Sequence, residues 1–360
     1  MDGQGIVLSA VGARCGKTFK ADGQWGVVAN THILWPLENS DRDFLWYLTN
    51  VEDWWEKGGS AQPFILTSQT LDRLWAFPSL PEQRAIAAFL DGETAKIDAL
   101  VAEQRRLIDL LREKRQAVIS HAVTRGLNPK AQLKPSGIDW LGDVPEGWEV
   151  CEAKRFVSIL SGFAFPSTSF SDDENDTPLL RGANVGVGEL RWDDTVYWRR
   201  EPYDGLDVFE VKAGDLVIGM DRPWIGAGVR VATVTESDVP SLLLQRVASL
   251  RTTGDLNKEY LKLQLSGDAF IHHFLPDMTG VSVPHISPTQ IGSFVIMVPP
   301  RSEQDQIVAF LSEATTQLDT LTATAETAIA LLQERRAALI SAAVTGKIDL
   351  RDLAPEPEAA

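Results

Sequence analysis

Two stretches of this 360-residue chain carry the same hydrophobic rhythm. Across 78–124, apolar residues step alternately by four and three, at Ile86, Leu90, Ile97, Leu100, Leu107, Leu111 and Val118. That heptad-like seam, interrupted at Glu93, Gln104 and Lys114, predicts one long helix over 78–125. Pro81 suits its first turn, and Gly126 and Pro129 stop it. Some forty residues at 1.5 Å each make a rod of roughly 60 Å, which needs something to lie against.

The chain supplies the partner. Residues 299–346 repeat the pattern at a constant offset of 221 (303 − 82) without a gap. Glu82 and Gln83 match Glu303 and Gln304, Phe89 and Leu90 match Phe310 and Leu311, and Asp98 matches Asp319. Further along, Arg115, Ile119 and Ser120 match Arg336, Ile340 and Ser341. Shared periodicity alone would not give a gapless register with identical ends, so this is an internal duplication.

The remainder reads as an α+β arrangement. Residues 1–77 predict strands at 6–11, 25–29 and 30–37, then an aromatic amphipathic helix at 43–55. Residues 126–147, rich in Pro and Gly and without a period, predict a linker. A second globular unit over 148–298 predicts strands at 150–157, 179–184, 215–220, 228–234 and 243–250. There 255–265 is helical and continues to about 274, 276–288 is a loop, and 291–298 is a strand. The tail, 347–360, is expected to be disordered. The duplication also extends upstream, Gly5–Ser9 corresponding to 214–219 and the aromatic helix to the one at 255–265. Nothing in the first unit corresponds to 148–213, so that unit is expected to lack its front.

Composition narrows the function classes. Hydrophobic content of 44% and charged content of 23% are ordinary for a soluble globular protein. No apolar run approaches a membrane span, and the N-terminus lacks the basic and apolar regions of a signal peptide. Two cysteines, Cys15 and Cys151, predict a cytoplasmic protein without a disulfide framework. A net charge of −16 speaks against generic nucleic-acid binding and requires a local basic face if DNA is the ligand. The adjacent His272 and His273 diverge on helix or strand, so no metal site is expected. Gly12, Gly16, Lys17 and Thr18 approach a phosphate-binding loop, but only three residues separate the glycines where four are needed. A polar surface loop is expected there.

A globular unit followed by P-x-L-P-E-Q-x-x-I-x-x-F-L and a long helix, all of it twice, resembles the specificity subunit of type I restriction–modification systems. The stretches 78–90 and 299–311 carry the resemblance, supported by 137–148 (GIDWLGDVPEGW), 214–219 (GDLVIG) and 279–287 (TGVSVPHIS). It implies two target-recognition domains, the first one truncated, alternating with two long helices paired as an antiparallel coiled coil. By the same resemblance each domain is expected to read one half of a split DNA target, and the helices to set the spacer and dock two methyltransferase subunits. Restriction–translocase subunits join that core. S-adenosylmethionine, ATP and Mg2+ belong to these partners, and no cofactor or catalytic residue to this chain. The residues agree, since no dinucleotide motif, methyltransferase box or phosphate loop is present. Other readings are a half-type subunit that works only as a dimer or is inactive, an enzyme with fused recognition domains, and a helical scaffold that does not bind DNA.

Sequence readout needs Arg for guanine and Asn or Gln for adenine, placed on loops. The candidates in the second domain are Arg181, Asn184, Asp221, Arg222, Trp224, Thr279, Ser282, His285 and Ser287, with Arg191, Arg199 and Arg200 for phosphates. In the first unit they are Arg14, Lys17 and Gln62. Off the main seam, Phe89, Val101, Ile108, Leu110, Phe310, Ile329 and Leu331 suggest a second apolar stripe for a docked protein.

Overall fold

A computed structural model describes residues 1–51, 54–72, 77–278 and 284–350. In chain order the first elements are β1 (Gly5–Ser9), β2 (Thr18–Ala21), β3 (Thr31–Leu34), α1 (Arg42–Thr49), β4 (Lys57–Gly58), β5 (Phe64–Ile65) and α2 (Thr67–Leu71). The long helix α3 (Leu80–Arg125) follows, then β6 (Leu133–Pro135) and β7 (Asp143–Pro145). The next strands are β8 (Glu149–Glu152), β9 (Val157–Ser161), β10 (Thr177–Leu180), β11 (Tyr197–Trp198), β12 (Leu216–Gly219) and β13 (Trp224–Ile225). After them come β14 (Gly228–Val229), β15 (Val231–Thr233), β16 (Leu242–Leu243) and β17 (Val247–Thr252). Helices α4 (Lys258–Leu265), α5 (Asp268–Phe274) and α6 (Pro288–Ser293), strand β18 (Val295–Val298) and the second long helix α7 (Arg301–Val344) complete the order. None of the described helices is long and apolar enough to cross a membrane. The chain divides into two compact units, Met1–Leu110 with Leu321–Ala360, and Leu111–Thr320, so each long helix gives half of itself to each unit.

In the first unit, β1 is flanked by β2 and β3 in an antiparallel sheet. The expected strand at 25–29 is absent, and the second strand is Thr18–Ala21 instead. The reason is the stretch between Gly12 and Lys17, which is the turn joining β1 to β2. Gly12 and Gly16 sit at φ +90° and +89°, and the amides of Cys15 and Gly16 donate to the carbonyls of Gly12 and Ser9. Positive φ there favours glycine, so the glycines serve a hairpin rather than a phosphate. Helix α1 is shorter than expected and ends at Thr49. Asp41 caps its N-terminus by accepting from the amides of Asp43 and Phe44 at 3.0 Å. Its buried Phe44, Tyr47 and Leu48 pack on Ile86, Ala87 and Leu90 of α3 and on Ile340, Ala343 and Val344 of α7. Lys347 and Ile348 donate backbone bonds to Ala342, and Leu350 packs on the same cluster. The start of the expected disordered tail is therefore ordered, while 351–360 lies outside the described residues.

In the second unit the sheet runs β15–β12–β17–β9, all antiparallel. Its main core gathers Trp148, Leu216, Ile218, Leu250, Tyr260, Phe270, Phe274 and Phe294 with Ile119 and Val123 of α3 and Ile307 and Leu311 of α7. The strands expected over 150–157, 228–234 and 243–250 are each split, into β8 and β9, β14 and β15, and β16 and β17, and three further expectations change. The helix expected over 255–274 breaks at Ser266 and Gly267 into α4 and α5. The strand expected over 291–298 begins as α6, because Ser287 and Gln290 form a capping box ahead of Pro288. The linker carries a hairpin, β6 pairing with β7 around a turn with Gly137 and Gly142 at positive φ.

The long helices run antiparallel within each unit. In the first, Ile86 and Leu90 meet the far end of α7, and Arg336 bonds Asp98 at 3.1 Å. In the second, Ile119 and Val123 meet Ile307 and Leu311, and Arg115 approaches Asp319 to 3.2 Å. These are the same contacts at the offset of 221. The seam itself differs from expectation over its middle. Val101 and Ile108 are buried, whereas Leu100 and Leu107 face solvent. A straight α-helix repeats every 3.6 residues and drifts about 20° per heptad against a 3.5 repeat, so a strict heptad count slips by one position.

Because the Arg336 and Asp98 side chains are 32% and 59% exposed, solvent screens their attraction. A double-mutant cycle on this pair is expected to give a coupling below about 1 kcal/mol. A larger value would mean that charge, not the apolar seam, holds the helices.

Candidate nucleic-acid and partner interfaces

One concavity of the second unit gathers side chains suited to nucleic acid. It holds about 410 Å3 and is lined by Gly182, Ala183, Asp221, Arg222, Arg230, Leu244, Gln245 and Arg246. Three segments build it: the turn after β10, the loop between β12 and β13, and the loop between β16 and β17. Arg230, between β14 and β15, ties the first two together. Its Nε donates to the Val185 carbonyl at 2.9 Å, its Nη1 to the Asp221 carbonyl at 3.0 Å, and its Nη2 to the Gly182 carbonyl. Burial, then the neighbouring Arg222 guanidinium, pull its pKa below the ordinary value, against the attraction of Asp221.

On the rim, the His285 Nδ1 lies 2.7 Å from Asp221 Oδ1. Arg246 Nη1 stands 3.3 Å from His285 Nε2 and 3.6 Å from the same carboxylate. The Arg222 amide donates to the Pro284 carbonyl at 2.7 Å, so 284–285 is fastened to this loop.

Charge pairing separates this site from the rest of the domain. Arg155, Arg181, Arg191, Arg199, Arg200 and Arg251 each have a carboxylate within 4 Å, on Glu149, Asp194, Glu189, Asp176, Asp204 and Asp215. Arg200 is held most fully, by Asp204, Asp207 and Glu210. Its guanidinium and the Leu206 amide bring the Asp204 carboxyl down to about 2. The three arginines proposed for phosphates are thus already engaged. Arg222 and Arg230 are the described arginines of the domain whose guanidiniums lack a carboxylate partner.

Of the sequence candidates, Asp221, Arg222 and His285 come together here. Arg181 is paired with Asp194. Asn184 is 1% exposed, and its amide accepts from the Arg181 amide and donates to the Arg191 carbonyl, so it holds the turn from inside. Trp224 is half-buried in β13 against the main core. Ser287 caps α6. Thr279 and Ser282 lie outside the described residues. In the first unit Arg14, Lys17 and Gln62 are exposed, Arg14 and Lys17 on the β1–β2 turn.

Sequence reasoning missed Arg230, Gln245 and Arg246. The available signal was the polar pair inside the apolar run Leu242–Val247, since two consecutive polar residues cannot both face away from a strand's core.

The helices present a second kind of surface. Val101 and Ile108 are buried in the helix pair and do not face a partner. Phe89 is partly buried on the α1 cluster, and Ile329 is half-buried. Phe310, Leu110 and Leu331 do face solvent, joined by Leu100, Leu107 and Leu321. At 100° per residue, Leu100, Leu107 and Leu110 share one face of α3, and Leu321 and Leu331 share one face of α7. Leu100 and Leu110 are the counterparts of Leu321 and Leu331 at the offset of 221.

Known proteins are similar to this chain in sequence and fold. The family model described as "Type I restriction modification DNA specificity domain" matches residues 145–330. The Escherichia coli EcoAI specificity subunit is 34% identical over 48% of this chain and 29% of its own length. The MjaVIII specificity subunit of Methanocaldococcus jannaschii is 24% identical over 97% of this chain and 80% of its own. The chain thus spans under a third of one relative and four fifths of the other. Among solved structures, a chain of a type I R-M system, solved in work on complex assembly and conformational transition, shares the fold. Its TM-score is 0.73 at 17% identity, over 95% of this chain and 82% of that one. The HsdS subunit from Thermoanaerobacter tengcongensis gives 0.51 at 19% identity, over 89% and 74%. With the specificity domain covering more than half of its length, the chain belongs to the type I restriction–modification DNA specificity family.

Proposed function

We propose that the chain is the sequence-reading adaptor of a type I restriction–modification complex. It brings no chemistry of its own. Its second globular unit reads one DNA half-site, and its paired helices hold methyltransferase subunits and fix the distance between half-sites. Methylation with S-adenosylmethionine, and cleavage with ATP and Mg2+, belong to methyltransferase and restriction–translocase partners in the cytoplasm.

The observation that supports this most is the concavity at Arg222 and Arg230. In a chain of net charge −16 whose other arginines in that domain are paired with carboxylates, two guanidiniums with no carboxylate within 4 Å share one site, which holds the single carboxylate of Asp221. A polyanion is the ligand such a local field selects, and its binding weakens as salt rises. The duplicated helices supply the two-fold pseudosymmetry needed to hold two copies of one partner in matching orientations.

Co-expression with a cognate methyltransferase subunit, followed by genome-wide mapping of modified adenines, tests the reading. A split asymmetric motif is the expected result. A palindromic motif would mean that two copies each contribute a second unit. Absence of any motif, with a complex formed, would sink the reading.

A further inference from the structure

The concavity contains two side chains that no other described residue engages. Arg222 and Gln245 are both exposed, and neither makes a side-chain hydrogen bond or ion pair among the described residues. They come from different loops and line the same depression.

Their loops are fixed rather than loose. The Arg222 amide donates to Pro284, the Gln245 amide to Phe163 at 2.9 Å, and the Met220 amide to Arg246 at 2.9 Å. Below them, the Arg230 bracket joins the Gly182 turn to the Asp221–Arg222 loop. The backbone is also strained at this place. Arg222 sits at φ +46° and Arg246 at φ +72°, in the region that favours glycine. Such residues persist where surrounding structure holds them, and they concentrate at ligand clamps.

A strained, anchored backbone suits a contact that depends on geometry. A phosphate accepts a cation from many directions, and the Asp221 carboxylate beside Arg222 repels phosphate oxygens at close range. A base edge is neutral and demands a planar, bidentate partner, two donors for guanine and a donor with an acceptor for adenine. Arg meets guanine O6 and N7 in that way, and Gln meets adenine N6 and N7.

Resting on the proposed function, we infer that Arg222 and Gln245 are base-reading residues of the second half-site, Arg222 for a guanine and Gln245 for an adenine. Arg230 is the positioning residue that holds the two loops in register.

The test uses the complex of the full chain with its methyltransferase, and the modification consensus of the wild type as probe. Duplexes carrying each base at each position of that consensus are methylated by wild type, Arg222→Gly, Arg222→Lys and Gln245→Ala. Arg222→Gly removes the side chain and the positive-φ strain together, so its melting temperature stays level or rises. Both Arg222 variants lose roughly 10- to 100-fold of discrimination at one guanine, since lysine lacks the fork. Gln245→Ala loses it at one adenine. A wild-type consensus left unchanged by all three variants overturns the assignment alone. A wild type without a consensus overturns the functional reading and the assignment with it. A fall in the stability of Arg222→Gly with discrimination intact would make Arg222 structural.

Discussion

Gln304→Leu is expected to destabilise the second unit by roughly 2–4 kcal/mol, although it conserves volume and removes no charge. Gln304 is fully buried and satisfied from three directions. Its Oε1 accepts from the Asn257 amide at 2.7 Å, and its Nε2 donates to the carbonyls of Pro299 at 2.8 Å and Asp255 at 3.2 Å. Leucine leaves the Asn257 N–H, at the start of α4 and facing the buried Gln304, without an acceptor, at a cost of about 1–3 kcal/mol, and weakens two carbonyls besides. Gln83 makes the same set, from the Asp41 amide at 2.7 Å and to Pro78 at 2.9 Å and Asn39 at 3.2 Å. One glutamine in each unit thus fastens the cap of the domain's helix to the first turn of the long helix. Denaturant unfolding and hydrogen exchange at the α4 amides would measure the effect. A loss below about 1 kcal/mol would show that the helix ends are fixed by apolar packing instead.

The glutamines show what the sequence could and could not reveal. Their duplication was legible, because a gapless offset requires only a comparison of the chain with itself. Their role was not, because each bonds backbone groups more than forty positions away. The long helices were legible from period alone, and the slip from Leu100 and Leu107 to Val101 and Ile108 came from counting 3.5 instead of 3.6. Strand placement failed where turn chemistry outweighed hydrophobicity. Trp25 belongs to no strand and rests near Trp35, with ring centroids 5.4 Å apart, while the glycines at 12 and 16 turn the chain earlier. Arg222 was legible as an arginine on a loop after a buried strand. Arg230 was hidden by the alternation Val229–Arg230–Val231, which reads as a strand with an outward arginine. Asn184 misled in the opposite direction, since an asparagine that satisfies its own turn has the same signature as one that reads adenine.

Leu110→Glu together with Leu331→Glu is expected to abolish methyltransferase binding while leaving the fold intact. Leu110 and Leu331 are 51% and 60% exposed, and their stripe neighbours Leu100 and Leu321 are 46% and 53% exposed. Each leucine, already about half covered in the free chain, contributes roughly 1–2 kcal/mol when a partner covers the rest, and a carboxylate buried in its place adds a desolvation penalty. Loss of two such contributions weakens binding by about 100-fold or more. Because all four positions face water in the free chain, the melting temperature stays within a few degrees of wild type. The duplication makes the prediction sharper than loss of affinity. Leu110→Glu alone damages the α3 stripe and spares the α7 stripe, so if the wild type binds the proposed two methyltransferase subunits, native mass spectrometry should show one. Leu331→Glu alone should do the same, and the double variant should hold none. Two subunits retained by the double variant would remove these stripes from the docking surface. Simultaneous loss of both subunits in either single variant would mean that they bind as one cooperative pair rather than at two equivalent sites.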